Sequence, residues 1–525
     1  MLREQVGVRS AKDGCSPQGQ CGCCTVWVDG SPRVACVTPV RRLGGREVTT
    51  LDGLPDDVVD RWAQALVASG GSQCGFCTPG IVMRLSALDP GSSDERIGRA
   101  LLAHLCRCTG WQTITEAARQ VIGDHPLGAA DRPSAPRDLD RAAERARLEG
   151  GVAQRVGPSV VLGRAGFADD LSPADALVAI PDRNGGYAVS ESIGAARALS
   201  GKVQGRSTGL PPVYPVELPP GSFDLSLQTT YVEPAYLEPD ASWCVPGGEP
   251  VSPCANGGAF GGKLHSPVAG DARRLADEHG RPVRVLWSRE DVVRRGPKRP
   301  PVAGGIDADG TGVLRVAVPP GGTADTDWSG VVAAVGTVAP RVALEPVPHP
   351  GPVVSFELRG AVWVEAAVLA TCAPFARAHD PVTDVPVAVR APGGGRAEAC
   401  WRPDGSIDVT VEAGAALDEV VLRSYCIGAT HQAVGWVRSE AVAVDTDGDV
   451  RDLTLRSFGI LGAGDMPPVR VRIGGGDGPP VNGSDAVFAA VAAATWLADG
   501  LVARWPTGRG AHGQPVSPPG APPVG

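Results

Sequence analysis

The chain has 525 residues, of which 43% are hydrophobic and 20% are charged, as in an ordinary globular protein. Its net charge of −9 does not favour binding to nucleic acid or to an anionic membrane, and no apolar run approaches the ~18 residues that span a bilayer. The cysteines, with no secretory signal before them, predict a cytoplasmic protein without a disulfide framework.

The first predicted elements surround a cysteine-rich loop. The opening residues are expected to form a short helix that leads into the sequence GCSPQGQCGCCTVWVDGSPRVAC. Alternating residues on both sides of Asp29-Gly30 predict a hairpin directly after the loop. Cys23 is expected to be a small core residue. Four other cysteines have the spacing C-x5-C-x2-C-x11-C, which is close to the plant-type [2Fe–2S] run: Cys15, Cys21, Cys24 and Cys36.

A second group of cysteines lies in a predicted helical unit. Helical periodicity covers residues 57–69 and 79–88, Ser93 is expected to cap a third helix, and a fourth begins near Trp111. The motifs QCGFC and LCRC fall at the ends of these helices. They contain Cys74, Cys77, Cys106 and Cys108.

Each group supplies the four thiolates that a [2Fe–2S] cluster needs. Structural zinc is the main alternative, because paired C-x2-C units also suit zinc. Gly14, Gly19 and Gly22 favour the cluster, since the loop must turn its backbone N–H groups towards the sulfides. The sequence therefore predicts two [2Fe–2S] clusters, with zinc as the alternative.

The rest of the chain has weaker periodicity. Residues 124–155 are expected to form a linker, in which residues 124–140 are rich in Pro, Asp and Arg and a short charged helix follows them. Strands, turns and occasional helices are expected after residue 156. Two helices stand out, at 270–279 and at 485–499, and the second is expected to be capped by Ser484. The Pro/Gly-rich residues 511–525 are expected to be a disordered tail.

The cysteine pattern of residues 2–122, with QCGFCTPG and LCRCTGW, resembles the iron–sulfur unit of the molybdenum hydroxylases, the xanthine dehydrogenase/aldehyde oxidoreductase family. Later segments that resemble the family follow in its order. They are GRAGFADDL (163–171), YVEPAYLEPDASW (231–243), GGAFGGK (257–263), THQAVGW (430–436), RSFGILGAGDMPPVRV (456–471) and GPPVNGSDAVFAAVAAATW (478–496).

The resemblance implies an α+β chain of several parts. An N-terminally truncated ferredoxin-like β-grasp domain would occupy residues 1–52, and a helical-bundle [2Fe–2S] domain would occupy residues 53–123. After the linker, a shortened α+β molybdopterin-binding-like region would cover residues 156–510. No flavin-binding segment lies between the iron–sulfur unit and this region.

The resemblance also implies a molybdopterin (Mo) cofactor beside GGAFGGK. Consecutive glycines let backbone N–H groups approach an anionic ligand, although glycine-rich turns are common in this chain. By the resemblance, Gly258, Phe260 and Gly261 would lie near the metal and Gln432 would contact the cofactor. Arg359 would orient the substrate. A surface arginine and a buried structural amide are the alternatives for Arg359 and Gln432.

Three positions depart from the family pattern. Asp485 stands where the family has a glutamate that acts as general base, and its shorter side chain would place the carboxylate differently. Asp485 also suits the first turn of the helix that follows, and this structural role is the favoured interpretation. Val232 and Ala415 replace two glutamines that the family uses to bind the cofactor.

Two functions remain open from the sequence. The first is a molybdopterin-dependent oxidoreductase that hydroxylates an N-heterocycle or an aldehyde and passes electrons through both clusters. Its acceptor would be a flavin-containing or other partner, and the chain could form a homodimer. The alternative is an iron–sulfur electron-transfer protein with a degenerate, non-catalytic molybdopterin-binding scaffold. A redox-sensing regulator is disfavoured, because no DNA-binding element is evident.

Overall fold

The computed structural model describes residues 1–123, 137–201, 210–251, 257–324, 326–378 and 380–508. The predicted tail and the first part of the predicted linker lie outside these residues. Within them, no helix is both long and apolar enough to cross a bilayer.

The front of the chain forms a small three-stranded sheet. β1 (Thr25–Val28) lies between β2 (Ser31–Val34) and β3 (Val48–Thr49) and pairs antiparallel with both. The predicted hairpin is present, with Asp29 and Gly30 at φ values of 49° and 74°, as a type I′ turn requires. The predicted opening helix is wrong: residues 1–6 form a turn, because Gly7 has a φ of 76°, which an α-helix cannot continue.

Four helices follow and enclose the second cysteine group. They are α1 (Asp56–Ser69), α2 (Thr78–Leu85), α3 (Asp94–Leu101) and α4 (Gln112–Ile122). The Ser93 side chain accepts a hydrogen bond from Arg96 N–H, which confirms the predicted cap of α3. The apolar faces of these helices pack together around Trp62, Leu66 and Trp111. The cysteines at the helix ends are therefore held by a packed core.

The second part of the chain combines helices with short strands. In chain order these are α5 (Leu139–Gly150), α6 (Pro158–Val161), α7 (Ala168–Leu171), β4 (Leu177–Pro181), β5 (Tyr187–Ser190), α8 (Ile193–Ser200), β6 (Leu225–Gln228), β7 (Ala241–Cys244), α9 (Val268–His279), β8 (Val283–Leu286), α10 (Arg289–Arg295), β9 (Val302–Ile306), β10 (Gly312–Val318), α11 (Trp328–Val338), β11 (Val342–Pro348), α12 (Trp363–Cys372), β12 (Val387–Arg390), β13 (Arg396–Trp401), β14 (Ile407–Glu412), α13 (Glu419–Arg438), β15 (Val469–Gly474) and α14 (Ser484–Ala498).

These strands form mixed four-stranded sheets. Their orders are β5-β4-β8-β7, β11-β10-β9-β6 and β12-β13-β14-β15. Each sheet contains one parallel pair: β4 with β8, β10 with β11, and β14 with β15. The largest core lies under the last two sheets and includes buried residues of α12, α13 and α14. The predicted helix at 270–279 is α9, which begins two residues earlier at Val268.

The predicted cap of the last helix is wrong. Gly483 is the N-cap residue, and the Ser484 side chain does not cap α14. Instead, the buried Glu149 carboxylate accepts hydrogen bonds from Gly483 N–H and Ser484 N–H at 3.1 and 2.8 Å. Asn482 Oδ1 accepts a third, from Asp485 N–H at 2.9 Å. A carboxylate from α5 thus satisfies the donors at the start of α14.

Candidate metal centres and the adjoining glycine loop

The first cysteine quartet converges in the loop before β1. The Cys15 Sγ atom contacts the Sγ atoms of Cys21 and Cys36, and Cys24 Sγ contacts Cys36 Sγ. Backbone donors also face this quartet. Gln18 N–H donates to Cys15 Sγ at 3.2 Å, and Cys36 N–H donates to Cys24 Sγ at 3.4 Å. Such hydrogen bonds stabilise a thiolate and help to set the potential of a bound cluster.

The second quartet is arranged as two sulfur pairs. Cys74 Sγ and Cys108 Sγ lie 3.6 Å apart, and Cys77 Sγ contacts Cys106 Sγ. The contact with Cys77, together with hydrogen bonds that include one from Thr109, lowers the pKa of Cys106 to about 6. The same contact raises the pKa of Cys77, so the pair holds a proton between its two sulfurs, and metal binding would displace it.

The fit to an iron–sulfur cluster rests on these sulfur pairs. A [2Fe–2S] cluster uses two thiolates on each iron, and metal–sulfur bonds of about 2.3 Å place two thiolates of one tetrahedral metal about 3.7 Å apart. The Cys74–Cys108 distance of 3.6 Å matches this value. The spacing of this pair is therefore that of two thiolates on one iron.

A hydrogen bond joins the two quartets directly. Leu105 N–H donates to the Cys21 carbonyl at 3.0 Å, and Leu105 precedes Cys106. Gly80 is packed so tightly that a Cβ there would overlap the Gly22 carbonyl. The two cysteine loops are thus adjacent. One hydrogen bond and one peptide unit separate Cys21 of the first quartet from Cys106 of the second.

Helix α13 and the residues after it cover the second quartet. Gln432 Nε2 donates to the Arg107 carbonyl at 3.0 Å, and a Cβ at Gly428 would overlap the Cys108 carbonyl. Arg107, between two of the cysteines, donates both terminal nitrogens to the Glu440 carboxylate at 2.5 and 2.8 Å. The second part of the chain therefore shields this quartet from solvent.

The glycine loop reaches the same place. Gly258 faces Arg107, with 2.7 Å between its ideal Cβ position and Arg107 Cβ, and a Cβ at Gly261 would overlap the Glu357 carbonyl. Phe260 has a φ of 43°, and its ring packs edge-on against Tyr425. The glycines are required here because protein backbone and side chains approach closely.

Arg359 connects the remaining predicted site residues. Its guanidinium lies 3.6 Å from the Phe260 ring centroid and donates to Asp485 Oδ1 at 3.0 Å. It also donates to Gln432 Oε1 at 3.2 Å and to Ser484 Oγ at 2.9 Å. Burial raises the pKa of Asp485 above its ordinary value, although the Arg359 charge acts in the opposite direction. Arg359 is thus joined by hydrogen bonds to Asp485, Gln432 and Ser484 inside the protein.

The space beside these residues tests whether a molybdopterin fits. A cavity of about 50 Å³ lies between Arg107, Phe260, Arg359, Gln432 and Val232. Pockets that hold organic ligands measure about 300–1,000 Å³. The apolar Val232 supplies no donor, and Arg359 and Asp485 neutralise each other. The described residues therefore do not fit a molybdopterin as they are arranged here.

All the residues predicted from the sequence lie in one region. The eight cysteines form two quartets, and Gly258, Phe260, Arg359 and Gln432 line the small cavity. Asp485 is joined to them through its hydrogen bond with Arg359, and Gly261 follows Phe260 in the loop without lining the cavity. Sequence reasoning missed Arg107 and Glu440. A charged residue inside the motif LCRC was a usable signal, because it must be neutralised when the motif is buried.

Comparisons with known proteins agree with this geometry. Residues 50–119 match the family model described as a [2Fe-2S] binding domain. The nicotinate dehydrogenase small FeS subunit of Eubacterium barkeri is 37% identical over 126 residues, which cover 23% of this chain and 80% of the relative. The xanthine dehydrogenase iron-sulfur-binding subunit of Escherichia coli is 41% identical over 120 residues, which cover 22% of this chain and 74% of the relative. This chain belongs to the molybdenum hydroxylase family.

The fold of the whole chain agrees with the family. An aldehyde oxidoreductase from Desulfovibrio gigas superposes with a TM-score of 0.65 at 15% identity, over 96% of each chain. This likeness confirms the predicted α+β fold class. The family match confirms an oxidoreductase with [2Fe–2S] clusters and is compatible with a molybdenum cofactor. The sequence matches with these two relatives cover 23% and 22% of this chain, whereas the fold comparison covers 96% of it.

Proposed function

We propose that this chain is an electron-transfer oxidoreductase, which carries single electrons through two [2Fe–2S] clusters in series. The observation that carries the proposal is the hydrogen bond from Leu105 N–H to the Cys21 carbonyl at 3.0 Å. The route between the quartets therefore consists of covalent bonds and this one hydrogen bond. Each cluster, when bound, accepts and releases one electron at a time.

The cysteines would form two ligand sets. Cys15, Cys21, Cys24 and Cys36 would hold the first cluster, and Cys74, Cys77, Cys106 and Cys108 the second. Burial of the second set under α13 would exclude water from it, whereas Cys36 of the first set is partly exposed. Electrons would therefore leave the chain at the first quartet, towards an external acceptor or a flavin-containing partner.

Hydroxylation of an N-heterocycle or an aldehyde is the function that the family resemblance implies for the second part of the chain. The small cavity and the Arg359–Asp485 pair do not support it for this chain. We propose instead that the second part acts as a scaffold, which buries the second quartet and orders the Arg107 loop. We also propose that the domain boundaries lie at residues 52, 123 and 155.

Metal analysis and electron paramagnetic resonance (EPR) of the intact chain test the proposal. The proposal expects about four irons and four sulfides per chain, two distinct signals on dithionite reduction, and no molybdenum. Xanthine or an aldehyde should not reduce the clusters. If the protein contains stoichiometric molybdenum and a substrate reduces the clusters, the chain is a hydroxylase instead. A preparation that takes up no iron on reconstitution would refute the electron-transfer function.

A further inference from the structure

His104 lies where the two cysteine loops meet. It is buried and precedes Cys106 by two residues. The imidazole Nε2 atom lies 3.1 Å from the Gly80 carbonyl oxygen of α2 and 3.2 Å from the Thr25 hydroxyl oxygen at the start of β1. Thr25 directly follows Cys24. One nitrogen atom therefore contacts elements that carry cysteines of both quartets or adjoin them.

The neighbours of Nε2 determine which imidazole nitrogen carries a hydrogen. A carbonyl oxygen can only accept, so Nε2 is protonated and donates to Gly80. The Thr25 hydroxyl donates to the Gly22 carbonyl at 2.7 Å, and its oxygen can accept from the same Nε2–H group. Hydrogen bonds thus run from His104 to α2 and, through Thr25, to the first cysteine loop, where Gly22 follows Cys21.

The backbone packs tightly around this imidazole. An added Cβ at Gly22 would lie 2.4 Å from His104 Cδ2, and one at Gly80 would lie 2.3 Å from the Gly22 carbonyl oxygen. Gly22 also has a φ of 74°, a conformation that L side chains rarely adopt. Interiors packed in this way have low compressibility and transmit strain. A shift of the imidazole would therefore move Gly22 and the loop that carries Cys21.

His104 also precedes the residue that joins the two loops. The peptide group between His104 and Leu105 supplies the N–H that donates to the Cys21 carbonyl at 3.0 Å. The hydrogen bonds of the imidazole hold the backbone on one side of this bond, and the contact with Gly22 holds it on the other. The separation of the loops therefore depends on the His104 side chain. The electronic and magnetic coupling of two bound clusters would fall steeply as this separation grows.

We propose that His104 is a positioning residue, whose Nε2–H group holds the two clusters at a fixed separation. The inference rests on the proposed electron-transfer function and adds the residue that sets the rate of transfer between the clusters. In that step one iron of the second cluster changes from ferrous to ferric, and one iron of the first changes from ferric to ferrous. His104 exchanges neither an electron nor a proton in this step.

Two substitutions of His104 separate its donor from its volume. Glutamine places its own Nε2 at about the position of the imidazole Nε2, because the same number of bonds separates each nitrogen from Cβ, so His104→Gln retains the donor. His104→Met fills a similar space but has no N–H group in its side chain. In the fully reduced, cluster-loaded chain, the magnetic splitting between the two EPR signals should decrease in His104→Met and return in His104→Gln.

The rate of transfer between the clusters is the second measurement. Rapid photoreduction of the oxidised chain delivers one electron, and freeze-quench EPR follows its redistribution between the clusters. The rate should be at least threefold lower in His104→Met than in the wild type, whereas His104→Gln should stay close to the wild type. A redox titration of each variant gives both potentials, so that the rates are compared at a known driving force.

Thr25→Val tests the same hydrogen bonds without changing His104. Valine has the shape of threonine but cannot donate to the first cysteine loop, so the splitting and the rate should both decrease. The matched control, Thr495→Val, removes another buried hydroxyl, which bonds to the Val491 carbonyl and the Trp401 indole between α14 and β13, and should behave as the wild type. If His104→Met takes up no clusters, Thr25→Val and its control decide alone.

The outcomes separate this inference from the proposed function. Wild-type splitting and rate in His104→Met, or in Thr25→Val where that variant decides, overturn the role of His104 and leave the relay intact. A loss in His104→Gln equal to that in His104→Met overturns the assignment to the Nε2–H donor. A loss in Thr495→Val equal to that in Thr25→Val overturns the inference as well. Two reducible clusters that exchange no electron in the wild type overturn the proposed function itself.

Discussion

Arg107 and Glu440, 333 positions apart in the chain, form a buried two-point salt bridge next to the second cysteine quartet. The two side chains are 7% and 1% exposed, so water does not screen them. Arg107 lies between Cys106 and Cys108, and a positive charge there would favour the reduced, more negative cluster. Glu440 cancels that charge.

Glu440→Gln should therefore raise the reduction potential of the second cluster. The amide keeps a hydrogen-bond acceptor for Arg107 but removes the negative charge, so the arginine charge acts on the cluster uncompensated. At least a tenfold shift in the reduction equilibrium is expected, which is about 59 mV for one electron. An EPR-monitored redox titration reports each cluster separately, and the first cluster should shift less.

Asp499→Asn is the matched control for this change. It removes the carboxylate from another buried pair, Arg438–Asp499, whose arginine lies over the Trp401 ring rather than beside a cysteine quartet. Both potentials should stay close to the wild-type values in this variant. Equal shifts in both variants would mean that any buried carboxylate acts in the same way, and that Glu440 has no special role.

The sequence predicted the features that depend on neighbouring residues. Ligand spacing is a local signal, so the cysteine motifs predicted both quartets before any fold was known. The turn at Asp29-Gly30 and the Ser93 cap are likewise local, because one or two residues determine the backbone there.

Features that depend on distant residues were not predictable in the same way. Ser484 resembled a cap, but Glu149 satisfies the N–H groups at the start of α14 and Ser484 Oγ accepts a hydrogen bond from Arg359. Arg359 pairs with Asp485, 126 positions away. Nothing in the local pattern of either residue indicates that pairing.

Cys108→Ala should remove the second cluster and leave the first. The remaining cysteines of that quartet cannot complete one iron, so iron content should fall from about four to about two per chain. Cys23→Ala is the control, because Cys23 is the buried cysteine between ligands that the sequence assigns to the core, although its Sγ contacts the Cys21 side chain and lies 3.8 Å from the Cys21 carbonyl. If Cys23→Ala also loses half of the iron, the assignment of ligands in the first quartet is incorrect.

Asp485→Ala should lower stability without changing either cluster signal. The substitution leaves the buried Arg359 charge without its carboxylate, and because the Asp485 side chain is 30% exposed, the expected loss is about 1–2 kcal/mol. Urea unfolding measures the loss. Glu412→Gln, which breaks the exposed Arg396–Glu412 pair, should have little effect. Unchanged stability would contradict a structural role for Asp485 and return it to the candidates for catalysis.

His431→Gln should make the protein less sensitive to mild acid. Burial, and then the Arg107 charge, lowers the pKa of His431 from 6.5 to about 4, while its Nε2–H donates to the Leu461 carbonyl at 3.0 Å. Below about pH 6.5 the unfolded chain therefore binds a proton at this histidine, whereas the folded chain binds it only below about pH 4. The free energy of unfolding falls as the pH falls through this window.

Between pH 7 and pH 5 this histidine alone should reduce the free energy of unfolding by about 2 kcal/mol. His431→Gln removes that part of the loss, although it does not change the contributions of other groups. His279→Gln, at an exposed position near the end of α9, is the control and should keep the full pH dependence. Urea titrations at the two pH values give the comparison. If the free energy of unfolding of His431→Gln depends on pH as in the wild type, the imidazole is already protonated in the folded protein. Only a histidine that stays neutral when folded makes stability fall as the pH falls.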